Sequence, residues 1–539
     1  MLVSFVMCAV SFGETMLQYF NTSWEEITAR IPELAEAGYT ALWLPPPTKG
    51  SGGLSVGYDL WDPFDLGGND QRGSVRTRYG TEAELLNLVE TAHRFGIRIY
   101  FDNIMNHRAF DIPGYNENTP IDIYPGMVPE DFHLRVTEDG FYRKWDNCRD
   151  WNSAWQVMNL GLADLIDIAH ETPNDNFGPN EGDDHPKISF VRQPNNPEYY
   201  YDTDLPISVG YGEYTWNVYT FADKEPYTDT NGNGRFDWTD TNANGQHDSG
   251  EASEPFTDTG LDPTRPGWNT TAYGYGDGKY NMGNPVSEDV GAYLIRAARW
   301  LLDRTKADGL RLDAVKHVPA YFFGEYGSDT SDAGYCGGAQ VQFNITRGFS
   351  DWDNHRDTVF NTEAPRDDAM MFGEHLGEPP GYGDYLGRGM RLVDNPLRNE
   401  LNNRLGSMWN GLNGYDSPGA GGFSPDTGVM HAQSHDNDYA ARRELQHAFY
   451  FTRAGLGLLY TDGNHHAETL GESGGAFPRH ANTSFLGQWG DVRVPNLLYI
   501  HEQFARGYQK GVWSDGDYVA YERLDWRQGG STDGDKVTM

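Results

Sequence analysis

Four acidic residues stand out by what precedes them. Asp102 comes near the end of the apolar run IRIYFDN, Asp313 lies in GLRLDAVKH, Glu374 ends AMMFGE, and Asp436 closes VMHAQSHD. Singly, such a residue is ordinarily an N-cap or an ion-pair partner. Together, at the ends of successive strands of one barrel, they would converge on one mouth. In GLRLDAVKH, side-chain alternation puts Arg311 and Asp313 on one face and Leu310 and Leu312 on the other. That pair is either a structural ion bridge or a carboxylate kept ionised by its neighbour. The apolar run before Glu374 would raise its pKa and hold the proton that a general acid donates. Two such carboxyls about 5–5.5 Å apart suit bond cleavage with retention at a sugar.

The elements that must position these groups alternate. TMLQYF reads as a strand, and Ser23 with Glu26 opens a helix to about Ala37. ALWLPPP is a second strand, Thr81 with Glu84 caps a helix to about Phe95, and IRIYFDN is a third strand. Ser287 opens the helix that runs into GLRLDAV. AMMFGE, MRLVDN, VMHAQSHD and GLLYTDG follow, with helical patterns at about 396–408, 440–454 and 495–508. Eight strand candidates separated mostly by helices imply an α/β fold, a closed (β/α)8 TIM barrel. The catalytic barrel is expected over residues 15–107 and 286–510. Residues 108–285, rich in Asn, Asp, Gly and Pro, read as an irregular subdomain inserted after strand 3. Residues 511–539 read as the start of a C-terminal β domain, too short to complete a sandwich.

Charge narrows the partners. The chain carries 79 acidic against 41 basic residues, a net charge of −38. Such a field repels phosphate backbones and anionic membranes, and it suits calcium, a neutral substrate or a salty medium. Aromatic residues make up 14%, which suits stacking on sugar rings as well as an ordinary core. Cys8, Cys148 and Cys336 are too few for a disulfide framework. Residues 1–14 read as a signal remnant or an N-terminal strand, the former implying a secreted or periplasmic protein. No apolar run is long enough to span a membrane.

Within the insert, residues 229–251 repeat a calcium-loop register. Asp229, Asn231, Asn233, Gly234, Asp237 and Asp240 occupy positions 1, 3, 5, 6, 9 and 12; Asp240, Asn242, Asn244, Gly245, Asp248 and Glu251 repeat it. Ca2+ held there would stiffen the insert without taking part in chemistry.

Taken in order, DNIMNH (102–107), GLRLDAVKH, GEHLG and SHDND (434–438) resemble the four short motifs of the α-amylase family of glycoside hydrolases, family 13. The resemblance covers about residues 15–510, and GYDLWDPFDLG with GSVRTRYGT (57–81) adds to it. It implies that Asp313 is the nucleophile, Glu374 the general acid/base and Asp436 a third carboxylate at the transition state. Arg311 would orient Asp313. His107 and His435 would bond the reacting sugar, Tyr58 would stack beneath it, and Lys316 and His317 would border the leaving-group side. Asp102 would be supporting structure. A structural calcium is implied between barrel and insert, on Asn106, Asp164 and the His317 carbonyl. GLADLID lacks the proline usual in that segment, and the doubled calcium loop is not typical of the family. The implied activity is retaining endo-hydrolysis of α-1,4-glucosidic bonds in starch, glycogen and maltooligosaccharides by a monomer. The competing readings are an exo-acting oligosaccharide-forming amylase, an α-glucosidase or a glucan transferase of the same family, and a non-catalytic glucan-binding or calcium-dependent surface protein.

Overall fold

A computed structural model describes residues 15–109, 124, 127, 131–136, 142–144, 146–170, 207–211, 214–218, 228, 230, 238–239, 241, 249–257, 290–323, 370–377, 380–386, 391–404, 428–436, 443–453, 455–462, 493–505, 508–516 and 518–524. Eight parallel strands close into a barrel in chain order. They are β1 (Thr15–Phe20), β2 (Ala41–Leu44), β3 (Arg98–Asn103), β4 (Gly309–Leu312), β5 (Met370–Gly373), β6 (Arg391–Val393), β7 (Gly428–His431) and β8 (Leu456–Asp462), with β8 pairing back onto β1. The expected (β/α)8 barrel is the observed fold.

Alternation along each strand builds two cores. Met16, Phe20, Trp43, Tyr100, Phe372, Val429 and Leu458 fill the lumen. Their neighbours Leu17, Leu42, Phe101, Leu310 and Leu312 face outward to the helices. Helix α1 (Trp24–Ala37) buries Ile27, Ile31 and Leu34 against that outer layer, each side chain contributing roughly 1.5–3 kcal/mol. Ser23 caps it, its hydroxyl accepting from the Glu26 N–H at 3.2 Å, and Gly38 ends it at φ 100°. Helix α2 (Glu82–Arg94) opens with both halves of a capping box between Thr81 and Glu84.

Helices α3 (Ala154–Asn159), α4 (Val290–Thr305), α5 (Tyr382–Leu386), α6 (Asn395–Arg404), α7 (Arg443–Thr452) and α8 (Arg493–Gln503) follow. The pattern read to residue 508 overran, because Tyr508–Asp515 is already a strand, paired antiparallel with Tyr518–Leu524. That hairpin docks on α7 through the Tyr521 hydroxyl, 2.6 Å from Thr452 Oγ1.

In the insert, the short strand Ile166–Asp167 returns to pair with His107–Arg108 just beyond β3. Leu134–Val136 pairs with Tyr142–Lys144, and Ile207–Tyr211 with Tyr214–Val218. Residues 1–14 lie outside the described residues, as do Asp229, Asn231, Asn233, Asp237, Asp240, Asn242, Asn244 and Asp248 of the doubled loop.

Candidate active site

Register does most of the assembly. Arg311 on β4 pairs with Asp102 on β3 and Phe372 on β5, all on inward positions. The ladder continues past the strand ends: the Asp313 N–H bonds the Asn103 carbonyl at 3.0 Å, and the Glu374 N–H bonds the Leu312 carbonyl at 2.9 Å. Immediately after Asp313, Ala314 takes a left-handed conformation (φ 46°, ψ 41°), costing roughly 1–2 kcal/mol. The turn lets the Val315 N–H bond the Glu374 carbonyl at 3.1 Å. Asp313 and Glu374 are thereby fixed side by side on adjacent strands.

One guanidinium joins the carboxylates. Arg311, fully buried, bonds Asp102 Oδ1 and Asp313 Oδ1 (2.6 Å) through Nη1, and Nη2 stands 2.8 Å from Glu374 Oε2. Both groups read as reactive therefore lie within the span of a single guanidinium, well under the separation of about 10 Å that would exclude either stereochemical class. The Arg311 guanidinium also lies over the Trp43 ring at 5.2 Å.

Three buried carboxyls on one cation cannot all ionise freely. Burial pushes Glu374 up to about 8; Arg311 opposes this, while Asp436, Asp313 and Asp102 add to it. Burial likewise raises Asp102 to about 7, against the pull of Arg311. Arg311 stays charged, because the carboxylates outweigh the cost of burying it.

Around this core, the Tyr58 hydroxyl donates to Asp102 Oδ2 at 2.6 Å and stands 3.0 Å from His435 Nε2. The Tyr58 and His435 rings stack at 5.6 Å and 4°. Gln18 Nε2 lies 2.7 Å from His435 Nδ1, and Asp436 Oδ2 lies 3.1 Å from His435 Nε2. Burial drops His435 to about 4, so the ring is neutral near pH 7. The Asp436 side chain remains 43% exposed at the rim.

His107 is engaged elsewhere. Its Nε2 stands 2.8 Å from the Tyr58 carbonyl and its Nδ1 3.1 Å from Asn106 Nδ2, so neither nitrogen is left for a sugar hydroxyl in this arrangement. Lys316 is half-buried, with Nζ 5.0 Å from the Trp151 ring centroid; His317 is buried and bonds the Val157 carbonyl at 2.6 Å through Nδ1.

The implied calcium can be tested on donors. With Nε2 of His107 donating to a carbonyl, its Nδ1 accepts from Asn106 Nδ2, which aims Asn106 Oδ1 away; that oxygen is buried with no hydrogen-bond partner. An orphaned amide oxygen suits a hard cation. Asp164 fits less well: it is exposed and tied to Asn147, whose amide bonds both its carboxylate and its N–H. The buried acid beside Asn106 is Asp167, opposite His107 in register, with Oδ2 2.6 Å from His133 Nδ1. Glu251 Oε1 accepts from the Thr241 N–H (2.7 Å) and hydroxyl (2.6 Å), closing the second loop end to end. Among the described residues, no group of three or more His, Cys, Asp or Glu is placed to hold a metal.

Sequence reading assigned no part to Trp43 or Gln18. Trp43 Nε1 donates to Asp102 Oδ2 at 3.2 Å. The signal was present in the alternation, which puts Trp43 and Gln18 on inward positions of ALWL and TMLQYF.

The family model "Alpha amylase, catalytic domain" matches residues 11–155. Over 329 residues the chain is 27% identical to the cytoplasmic alpha-amylase of Escherichia coli (strain K12), spanning 58% of this chain and 49% of that one. It is 40% identical over 108 residues to the alpha-amylase of Geobacillus stearothermophilus, spanning 19% of this chain and 20% of the relative. The chain thus spans about half the length of the first relative and a fifth of the second. The crystal structure of an alpha-amylase from Geobacillus thermoleovorans complexed with acarbose aligns at a TM-score of 0.51 and 17% identity, over 95% of this chain and 84% of that one, a likeness of fold.

Proposed function

We propose that this chain, a member of the α-amylase family, is a retaining endo-hydrolase of α-1,4-glucosidic bonds in starch-like glucans. The observation that carries the reading is Arg311 holding both Asp313 and Glu374 at adjacent strand ends. Asp313, held by the Arg311 guanidinium, attacks the anomeric carbon and forms a glycosyl-enzyme ester. Glu374, kept protonated by burial, donates its proton to the departing glycosidic oxygen. The same carboxylate then takes a proton from the water that opens the ester, so the configuration at carbon 1 is retained. Asp436, next to neutral His435, faces the cleft rim where sugar hydroxyls and the developing oxocarbenium charge would lie. Tyr58, held by Asp102 and His435, offers its ring to the sugar on the other side of the bond. Calcium at Asn106 would supply a cross-link between barrel and insert.

Reducing-sugar release from soluble starch, wild type against Glu374→Gln, tests the reading. Equal rates would defeat it. Products from a defined maltooligosaccharide then separate internal cleavage from release of glucose alone or transfer without net hydrolysis, either of which would favour a different member of the family.

A further inference from the structure

The lumen of the barrel holds an amide where its neighbours along the strand are apolar. Gln18 lies between Met16 and Phe20 on the inward positions of β1, in register with Trp43 on β2 and Tyr460 on β8, and is wholly buried. Its Oε1 has no hydrogen-bond partner, a cost that an apolar residue at this position would avoid. Its Nε2 stands 2.7 Å from His435 Nδ1. The use of the amide therefore lies at its nitrogen.

The hydrogens available run this contact in one direction. The Tyr58 hydroxyl spends its hydrogen on Asp102 Oδ2 at 2.6 Å, so toward His435 Nε2, 3.0 Å away, its oxygen accepts. The other neighbour of Nε2 is Asp436 Oδ2 at 3.1 Å, a carboxylate oxygen that accepts as well. Nε2 thus carries a ring hydrogen. A neutral imidazole has only one, which leaves Nδ1 bare and in need of a donor, and Gln18 Nε2 is that donor. The opposite tautomer would set a bare Nε2 against two oxygen lone pairs. Nor is the ring free to turn and exchange its nitrogens: Tyr58 stacks on it at 5.6 Å, and Phe20 and Trp43 hem it in at 4.9 and 5.9 Å.

We infer that Gln18 is a positioning residue for glucan hydrolysis: by donating to Nδ1 it keeps the His435 hydrogen on Nε2, facing Asp436. The inference rests on the hydrolase reading and gives β1 a part in it. The His435 N–H and the Asp436 carboxylate then stand side by side as donor and acceptor. A sugar hydroxyl, which both donates and accepts, fits that pair. With the hydrogen on Nδ1, the same place would offer two acceptors and leave the hydroxyl oxygen without a donor.

The full chain tests this through one spectrum and two variants. In protein labelled with nitrogen-15 histidine at pH 7, the His435 ring, identified by the signal lost in His435→Asn, should show Nε2 protonated and Nδ1 bare. A hydrogen on Nδ1 would overturn the inference whatever the activity. Gln18→Met fills the space without a donor, and kcat/KM on maltopentaose should fall about tenfold, the effect of one lost hydrogen bond; an unchanged value would overturn the role. Gln18→Glu separates the donor from mere bulk. While the new carboxyl and His435 share an added proton, Nε2 stays protonated; once that proton leaves, the carboxylate draws the ring hydrogen to Nδ1. The other charged or titratable groups around His435 are Asp436, Arg311, Asp313, Tyr58 with Asp102 behind it, and His431, all present in both proteins. The ratio of kcat/KM for Gln18→Glu to that for wild type should be highest near pH 5 and fall about tenfold by pH 7. A ratio that stays constant over that range would mean a merely structural role and overturn the inference, leaving the hydrolase reading intact. A wild type inactive on maltopentaose would refute the hydrolase reading and the role of Gln18 with it.

Discussion

Two buried cations organise this chain, and their surroundings differ in kind. Lys49, whose side chain is fully buried, points Nζ at the carbonyls of Val75 (2.5 Å), Ser74 (2.8 Å), Asn69 (3.4 Å) and Arg76 (3.4 Å), and stands 3.5 Å from Asp65. Asp65 is itself cradled by the N–H groups of Gly67, Gly68 and Asn69. Asp65 and a shell of dipoles hold this cation and tie down the loop between β2 and α2, with Asp62 and Asp70 acting on it from further off. Arg311 has three carboxylates and no comparable shell of backbone carbonyls. Burial first, and the crowding of acids after it, raises Glu374 and Asp102 despite the guanidinium between them. A cation held mainly by backbone dipoles staples a loop; one shared by three carboxylates gathers the acids that chemistry can use.

The contrast can be broken by mutation. Glu374→Gln should lower kcat on starch roughly 10²–10⁴-fold, the range for losing a positioned general acid, with no comparable loss of folding stability in a urea melt. Lys49→Met should do the reverse first. Leaving Asp65 buried without its cation should cost about 3–5 kcal/mol of unfolding free energy, and activity should fall only as the loop carrying Tyr58 loosens.

A pH series sharpens the difference. Glu374 is raised from an ordinary 4.5 to about 8, so between those values the folded chain holds a proton that the unfolded chain has released. Its contribution to stability is full below about 4.5 and is lost as pH rises through about 8; activity needing the acid form should fade over the upper end of that window. Asp102, raised from 3.8 to about 7, acts with the same sign. The unfolding free energy of the wild type relative to that of Glu374→Gln should therefore fall as pH rises from 5 to 9. The smallest effect belongs to neither cation: Thr81→Ala removes the α2 capping box and should cost about 1 kcal/mol, read as a small shift in the urea midpoint with kcat unchanged.

Much of this was legible before any coordinates. Period-two alternation marked the strands, and in GLRLDAVKH it separated Arg311 and Asp313 from the leucines, which do face opposite layers. Caps marked α1 and α2, where Ser23 and Thr81 make the expected bonds. What stayed hidden depends on register and on distant returns of the chain. Asp102 bonds Arg311 because β3 and β4 pair at those residues, a fact that no local pattern carries. Trp151 reaches Lys316 across more than a hundred residues of insert. Asp164 sat in a motif that looked like a cation ligand, yet the left-handed turn at Ala163 and Asp164 (φ 50° and 70°) carries it to the surface.

Trapping the covalent intermediate tests the central claim most directly. A 5-fluoro-α-maltosyl fluoride forms its ester and hydrolyses it slowly, so peptide mapping of the inactivated protein identifies the attacking carboxylate. The account predicts one added glycosyl group on the peptide containing GLRLDAVKH, at Asp313. A label on Asp102, Glu374 or Asp436, or turnover with inversion and no label, would contradict it.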